Sequence, residues 1–169
     1  MIELTEEPFD GPVGVRLTNA MAVEVSRRYA GQLAGLTLEE EAADNAAYRA
    51  EVTPAMVTRP GGAFVVAWLA GEAVGCGAVR PLHGRPGVAE IKRMYTAPPA
   101  RRQGVSRVVL DRLEAIAGAL GYGRLQLETG TPQPEAIALY ESTGWVAIQP
   151  YGHYKDAPTS RSFAKDLAG

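Results

Sequence analysis

The stretch from Val88 to Glu128 restricts the fold more than any other part of this chain. Val88 to Thr96 reads as a strand. From Gly104 to Leu120 the apolar positions Val105, Val109, Leu113, Ile116, Ala117 and Leu120 step by three and four, which marks an amphipathic helix. Gly121 then stands where a helix ends on a left-handed residue. Arg124 to Glu128 is strand-like again. A strand, an amphipathic helix and a second strand at this spacing form a crossover unit with parallel strands. The chain is therefore an α/β protein with a sheet at its centre.

The flanks extend that sheet. Ala63 to Leu69 and Ala73 to Val79 enclose Ala70-Gly71-Glu72, a hairpin with a tight turn, and Val88 to Thr96 continues them into an antiparallel meander. Pro134 to Ser142 reads as a helix with Pro at its start and Gly144 just past its end. Trp145 to Ile148 and Ser162 to Leu167 complete the strands. On the N-terminal side, Val13 to Leu17 reads as a short strand after the Gly11-Pro12 break. A helix from about Ala20 to Leu33 follows, capped by Thr18 or Asn19, and a second helix capped by Thr37 runs to about Ala50. The order β-α-α-β-β-β-α-β-α-β-β predicts a mixed, mostly antiparallel sheet of about seven strands flanked by about four helices. No repeat, low-complexity block or linker interrupts it, so residues 1–169 read as one domain.

Composition narrows the chemistry. Seventeen Lys plus Arg against nineteen Asp plus Glu give a net charge of -2, without the basic excess of a nucleic-acid binder. Two histidines and the single Cys76 leave little material for a metal site and none for an internal disulfide. No apolar run approaches the roughly 20 residues of a membrane span, and the acidic start MIELTEEPFDG shows no export signal. The expectation is a soluble, cytoplasmic domain that works with ordinary side chains or a bound organic molecule.

One loop is suited to an anion. Pro99-Ala-Arg101-Arg102-Gln103-Gly104-Val105-Ser106-Arg107 joins a strand to the strongest helix of the chain. A helix start exposes unpaired N–H groups and partial positive charge, Gly104 and Ser106 permit close approach, and three arginines surround the opening. No Gly-Lys-Ser/Thr is present, so this is not a nucleotide-hydrolase loop. Gly75-Cys-Gly77-Ala-Val-Arg80 lacks the third glycine of a dinucleotide fingerprint and lies in a hairpin strand.

With Glu90-Ile-Lys-Arg-Met-Tyr-Thr-Ala-Pro before it, this loop resembles motif A of the GNAT superfamily of acyl-CoA-dependent N-acetyltransferases, Arg/Gln-x-x-Gly-x-Gly/Ala, with Ser106 in the last place. Ala136-Ile-Ala-Leu-Tyr-Glu-Ser-Thr-Gly-Trp145 resembles motif B, with Gln133 at the position of the family's Asn and Trp145 at that of its Phe. Leu127-Glu128-Thr129 resembles the fifth strand. The likeness covers roughly residues 62–169. It implies the GNAT fold and acetyl-CoA as cosubstrate. It further implies that backbone amides from Arg102 to Arg107 hold the pyrophosphate, with Arg101, Gln103, Gly104, Val105 and Ser106 in the same loop. The pantetheine arm would pair with Met94, Tyr95 and Thr96 and touch Gln133, in a slot where the strand around Leu127 to Thr129 splays away. Pairing of two copies through C-terminal strands is implied as well.

Acetyl transfer needs a neutral amine, a stabilised oxyanion and a protonated leaving group. The resemblance implies that Tyr140 donates to the departing sulfur; packing against the sheet is compatible with that. Glu90 resembles the position of a carboxylate that relays the amine proton, or else it pairs with Lys92 on one face. Strict alternation puts Glu90, Lys92 and Met94 on one face and Ile91, Arg93 and Tyr95 on the other, barring a bulge. Glu128 is the second candidate base, and solvent can take its place. For the acceptor the candidates are Arg93, Glu128 and the loop residues Tyr151, His153 and Tyr154. Glu39-Glu40-Glu41 with Asp44 either attracts a cationic amine or simply favours a helix start. The leading reading is acetylation of a small-molecule primary amine by direct attack, since an acyl-Cys76 relay from a buried strand is disfavoured. A silent acyl-CoA-binding module and a protein acetyltransferase are the alternatives.

Overall fold

A computed structural model describes residues 1–33 and 38–167. One seven-stranded sheet runs in the order β1-β2-β3-β4-β5-β7-β6, from β1 (Ile2–Glu6), β2 (Ala63–Leu69), β3 (Glu72–Pro81), β4 (Val88–Thr96), β5 (Arg124–Gly130), β6 (Val146–Ile148) and β7 (Ser160–Asp166). The helices are α1 (Pro12–Arg28), a single turn α2 (Ala30–Leu33), α3 (Leu38–Ala50), α4 (Val105–Ala119) and α5 (Pro134–Ser142). Only β4 and β5 are parallel, joined through α4 as the crossover pattern predicts; every other neighbouring pair is antiparallel. β7 enters between β5 and β6, a long-range insertion that local patterning does not reveal. Among the described residues no helix is long and apolar enough to cross a membrane.

Both faces of the sheet are covered, which explains the uninterrupted apolar run of β2. Ala63, Val65 and Ala67 pack with Val109, Leu113 and Ile116 of α4, while Phe64 and Val66 pack with Leu17 of α1 and with Val52 and Val57. Two glycines of β3 let α4 lie close. A Cβ on Gly77 would stand 2.6 Å from Met94 Sδ, 2.7 Å from Leu113 Cδ1 and 2.9 Å from Val109 Cγ1, and one on Gly75 would meet Val105 Cγ1 at 2.7 Å. Gly77→Val should therefore destabilise the protein by about 1–3 kcal/mol through overpacking, read as a lowered urea midpoint at unchanged slope.

The N-terminal expectations need correction. Val13 to Leu17 is not a strand but the first part of α1, and the sheet's first strand is Ile2–Glu6. Gly11-Pro12 is a helix start: Gly11 is the extended N-cap and Pro12 the first helical residue, where its missing N–H costs nothing. Thr18 does not cap; its hydroxyl donates back to Gly14 O at 2.8 Å within the helix. α1 ends at Arg28, short of Leu33. Thr37, the expected cap of α3, lies outside the described residues, and α3 ends at Ala50 as expected.

β4 also departs from strict alternation. Ala78 pairs with Lys92 and Cys76 with Tyr95, so Arg93 and Met94 together face the single residue Gly77. This is a β-bulge, with Arg93 at φ +58. It turns Met94 onto the α4 face beside Ile91 and leaves Lys92 and Arg93 both reaching Glu51 near the end of α3. The expected grouping of Glu90, Lys92 and Met94 on one face therefore breaks at the bulge.

Candidate active site

Two backbone features open a cleft. The β4–β5 ladder runs from Val88 opposite Arg124 to Ile91 opposite Leu127 and stops there, although β4 continues to Thr96 and β5 to Gly130. Past Ile91 the two facing edges part, and the bulge at Arg93 sits at the fork. At the outer end of the gap α4 begins on Gly104, at φ +83, and no side chain caps it. The first bond inside the helix runs from Val108 N–H to Gly104 O at 3.1 Å, so the N–H groups of Val105, Ser106 and Arg107 have no helical acceptor. Nothing lies within 4 Å of where a Gly104 Cβ would stand.

Fork and helix start open into one cleft of about 1070 Å³. Its outer end carries Arg101, Arg102, Gly104, Val105, Ser106 and Arg107. Arg101 donates to Thr96 O at 3.1 Å and pairs with Glu24, and Arg107 donates to the Ser142 hydroxyl at 3.2 Å. The end of α1 is fastened across the opening to the start of α5. Arg28 pairs with Glu24 and Glu135 and donates to Pro132 O at 3.2 Å, and Gln133 Nε2 donates to the Tyr29 hydroxyl at 3.1 Å. Thr96 lines the cleft, and its Oγ1 is buried without a hydrogen-bond partner among the described residues.

The inner end is built on a buried charge network. Lys92 Nζ pairs with Glu51, with Glu128 Oε2 at 3.1 Å and with Glu90 Oε1 at 3.2 Å. Arg93 donates to Tyr48 O at 2.6 Å, stands 3.7 Å from Glu51 and lies over the Tyr48 ring at 3.9 Å. Burial alone would depress the Lys92 ammonium, but the carboxylates of Glu90, Glu51 and Glu128 outweigh it and hold its pKa above the usual lysine value. Glu128 moves the other way from a paired acid: burial raises its pKa, and Lys92 offsets this only in part. Its Oε1 is buried and has no hydrogen-bond partner among the described residues.

Tyr140 belongs to the same cleft. Its ring is held by Trp145 at 5.9 Å and Phe163 at 6.0 Å, and the residue is only 4% exposed, yet it lines the cleft. Its hydroxyl makes no hydrogen bond to the described residues, and burial raises its pKa above that of a free phenol. The group is thus a protonated donor with no acceptor among the described residues.

The cleft brings together Arg93, Met94, Tyr95, Thr96, Glu128, Gln133, Tyr140 and Tyr154 with the loop before α4. Four expected site residues lie elsewhere. Glu90 is 1% exposed and does not reach the cleft; Arg80 holds its Oε2 at 2.6 Å, and the Tyr151 hydroxyl donates to its Oε1 at 2.8 Å. Tyr151 is accordingly occupied in that contact. His153 lies outside the cleft, its Nε2 3.6 Å from Asp44 Oδ1, and Gln103 turns its amide back to Pro99 O at 3.1 Å. Sequence reasoning missed Glu24, Arg28, Tyr29, Tyr48 and Glu51, all of which line the cleft. The Glu24–Arg28 spacing signals a helix-surface pair, and nothing in it points to a cleft.

The profile of the acetyltransferase (GNAT) family matches residues 29–145. This chain belongs to the GNAT family. It is 39% identical over 111 residues to the IAA acetyltransferase of Azospirillum brasilense, spanning 66% of this chain and 72% of that protein. To the uncharacterised N-acetyltransferase YsnE of Bacillus subtilis it is 40% identical over 106 residues, 62% of this chain and 69% of the other. Among solved structures, a Klebsiella pneumoniae protein assigned as an acyl-CoA N-acyltransferase superposes with a TM-score of 0.74 at 26% identity, over 99% of both chains. The PaiA N-acetyltransferase of Thermoplasma acidophilum, solved with coenzyme A, shares the fold at a TM-score of 0.71 and 16% identity, over 98% of this chain and 99% of that one. The chain is an acyl-CoA-dependent N-acetyltransferase, and the sheet that forks at Ile91 is the GNAT sheet.

Proposed function

We propose that this GNAT enzyme moves an acetyl group from acetyl-CoA to the primary amine of a small molecule by direct attack. The observation that carries the reading is the one cleft that joins an uncapped helix start to a forked sheet edge and is lined by Tyr140, whose hydroxyl bonds to no described residue. Bound acetyl-CoA supplies an activated thioester. The N–H groups from Arg102 to Arg107, with the Arg102 and Arg107 guanidiniums, suit its pyrophosphate. The β4 edge at Met94 to Thr96, the orphaned Thr96 Oγ1 and Gln133 suit its amide-bearing arm.

The rest is done by this chain's side chains. Glu128 Oε1 accepts a proton from the amine, with Lys92 holding the other oxygen in place. Tyr140 holds the proton that the leaving sulfur requires. Glu90 contributes by fixing Lys92 from outside the cleft. Cys76 is fully buried, and burial pushes its thiol up to about 12, which speaks for direct attack over an acyl-enzyme. The reading takes residues 1–169 as one cytoplasmic domain. Two copies would join along β6, the edge strand that exposes Val146.

Calorimetric titration with CoA, followed by thiol release over an amine panel, tests this. One site per chain and amine-dependent release are expected. Binding without release on any amine would favour a silent acyl-CoA-binding module instead.

A further inference from the structure

The two ends of the cleft differ in which charges are already neutralised. At the outer end Arg102 has no carboxylate partner among the described residues and Arg107 meets only a hydroxyl. Farther in, Arg28 is shared by Glu24 and Glu135, and Arg101 is taken by Glu24. At the inner end Lys92 is surrounded by Glu51, Glu90 and Glu128, and both Arg93 amino groups are committed to Tyr48 O and Glu51. Every described cation lining the cleft beyond the loop before α4 is thus already paired.

What the inner end leaves unused accepts hydrogen bonds. Glu128 and Ser160, on neighbouring strands, line the cleft, and Glu128 Oε1 and Ser160 Oγ are buried without a partner among the described residues. Asp44 adds a further carboxylate to the wall, close to His153 at 3.6 Å and bonded by Tyr154. Three acids, Asp44, Glu51 and Glu128, therefore line this end against two cations, Lys92 and Arg93. A second anion brought here loses its water and finds no unpaired cation among the described residues, whereas N–H and O–H groups find acceptors that lack a partner.

We propose that the acceptor is a primary amine with no carboxylate or phosphate next to the reacting nitrogen, held through its own donors by Glu128 Oε1 and Ser160 Oγ. This rests on reading the inner end as the acceptor site. Free α-amino acids are accordingly poor acceptors, and their decarboxylated or amidated counterparts are good ones.

Matched triples test it: tyrosine, tyramine and tyrosinamide, with phenylalanine, phenethylamine and phenylalaninamide as a second set, in each of which the α-nitrogen is the one amine that can react. The amide keeps the bulk of the amino acid and removes its charge. Expected is a kcat/KM at least about tenfold higher for amine and amide than for the acid. Affinity for the CoA-bound protein, measured by calorimetry, should fall in the same order. If the affinities keep this order but nothing turns over, the acceptor preference stands and catalysis fails. If the amino acid binds or reacts as well as its amide, the proposal is overturned. Glu51→Gln releases part of the hold on Lys92 and Arg93, so the amide-to-acid ratio should shrink several-fold; an unchanged ratio contradicts the role given to pairing.

Discussion

Tyr140→Phe should lower kcat by about 10²-fold, the usual worth of one positioned proton donor, while KM for acetyl-CoA stays within about threefold. The substitution is clean because the ring, not the hydroxyl, holds the residue in place. Trp145 and Phe163 clamp the ring, and Phe keeps both contacts. The hydroxyl bonds to no described residue, so its removal leaves no orphaned partner and thermal stability should barely move. Because burial raises the phenol's pKa, the wild-type enzyme should show no alkaline loss of kcat from Tyr140 across the ordinary assay range. Steady-state kinetics of the two proteins decide the matter. A Phe enzyme with unchanged kcat would reduce Tyr140 to packing.

The second large effect is expected at Glu128. Glu128→Gln preserves shape and an oxygen for Lys92 but removes the carboxylate, and kcat should fall by about 10²-fold or more. A base works only when deprotonated, so activity is lost as pH falls through its pKa. Burial raises that pKa, which places the acid limb of kcat above the ordinary carboxylate range. Measuring kcat at saturating amine reports the bound complex and sets aside ionisation of the free amine. In Glu128→Gln the limb should vanish from the residual rate. Its persistence would give the proton to Glu51 or to solvent.

Much of the fold was legible because its key signals are local. The period of α4, the proline at the start of α5 and the glycine turn between β2 and β3 each act within a few residues, and those elements fall where the pattern puts them. The N-terminal segment misled because Gly11-Pro12 has two meanings, a break before a strand and the first turn of a helix. Packing chose the second by burying Leu17 and Met21 against the sheet. The order β5-β7-β6 depends on partners far apart in sequence, and no window shows it.

The site divides along the same line. The loop before α4, where Gly104 takes φ +83 and no side chain caps the helix, was legible as a helix start suited to an anion and through its resemblance to motif A. Residues that act through partners were not. Glu90 stands in the expected strand, but Arg80 and Tyr151, which occupy its oxygens, come from the neighbouring strand and from a loop 61 residues on. Glu128 appeared as the lesser candidate and is found lining the cleft, one residue past the last β4–β5 pair at Leu127. The inner wall of Tyr48 and Glu51 is set by the docking of α3 on the bulged end of β4, and that docking has no sequence signature.

The most direct measurement uses acetyl-CoA labelled in its acetyl group, mixed with the intact protein with and without a primary amine. Direct transfer predicts that label leaves CoA only when amine is present and is recovered as the N-acetyl product, one per thiol released, with none on the protein. Label held on the protein, or thiol release indifferent to every amine, would contradict it.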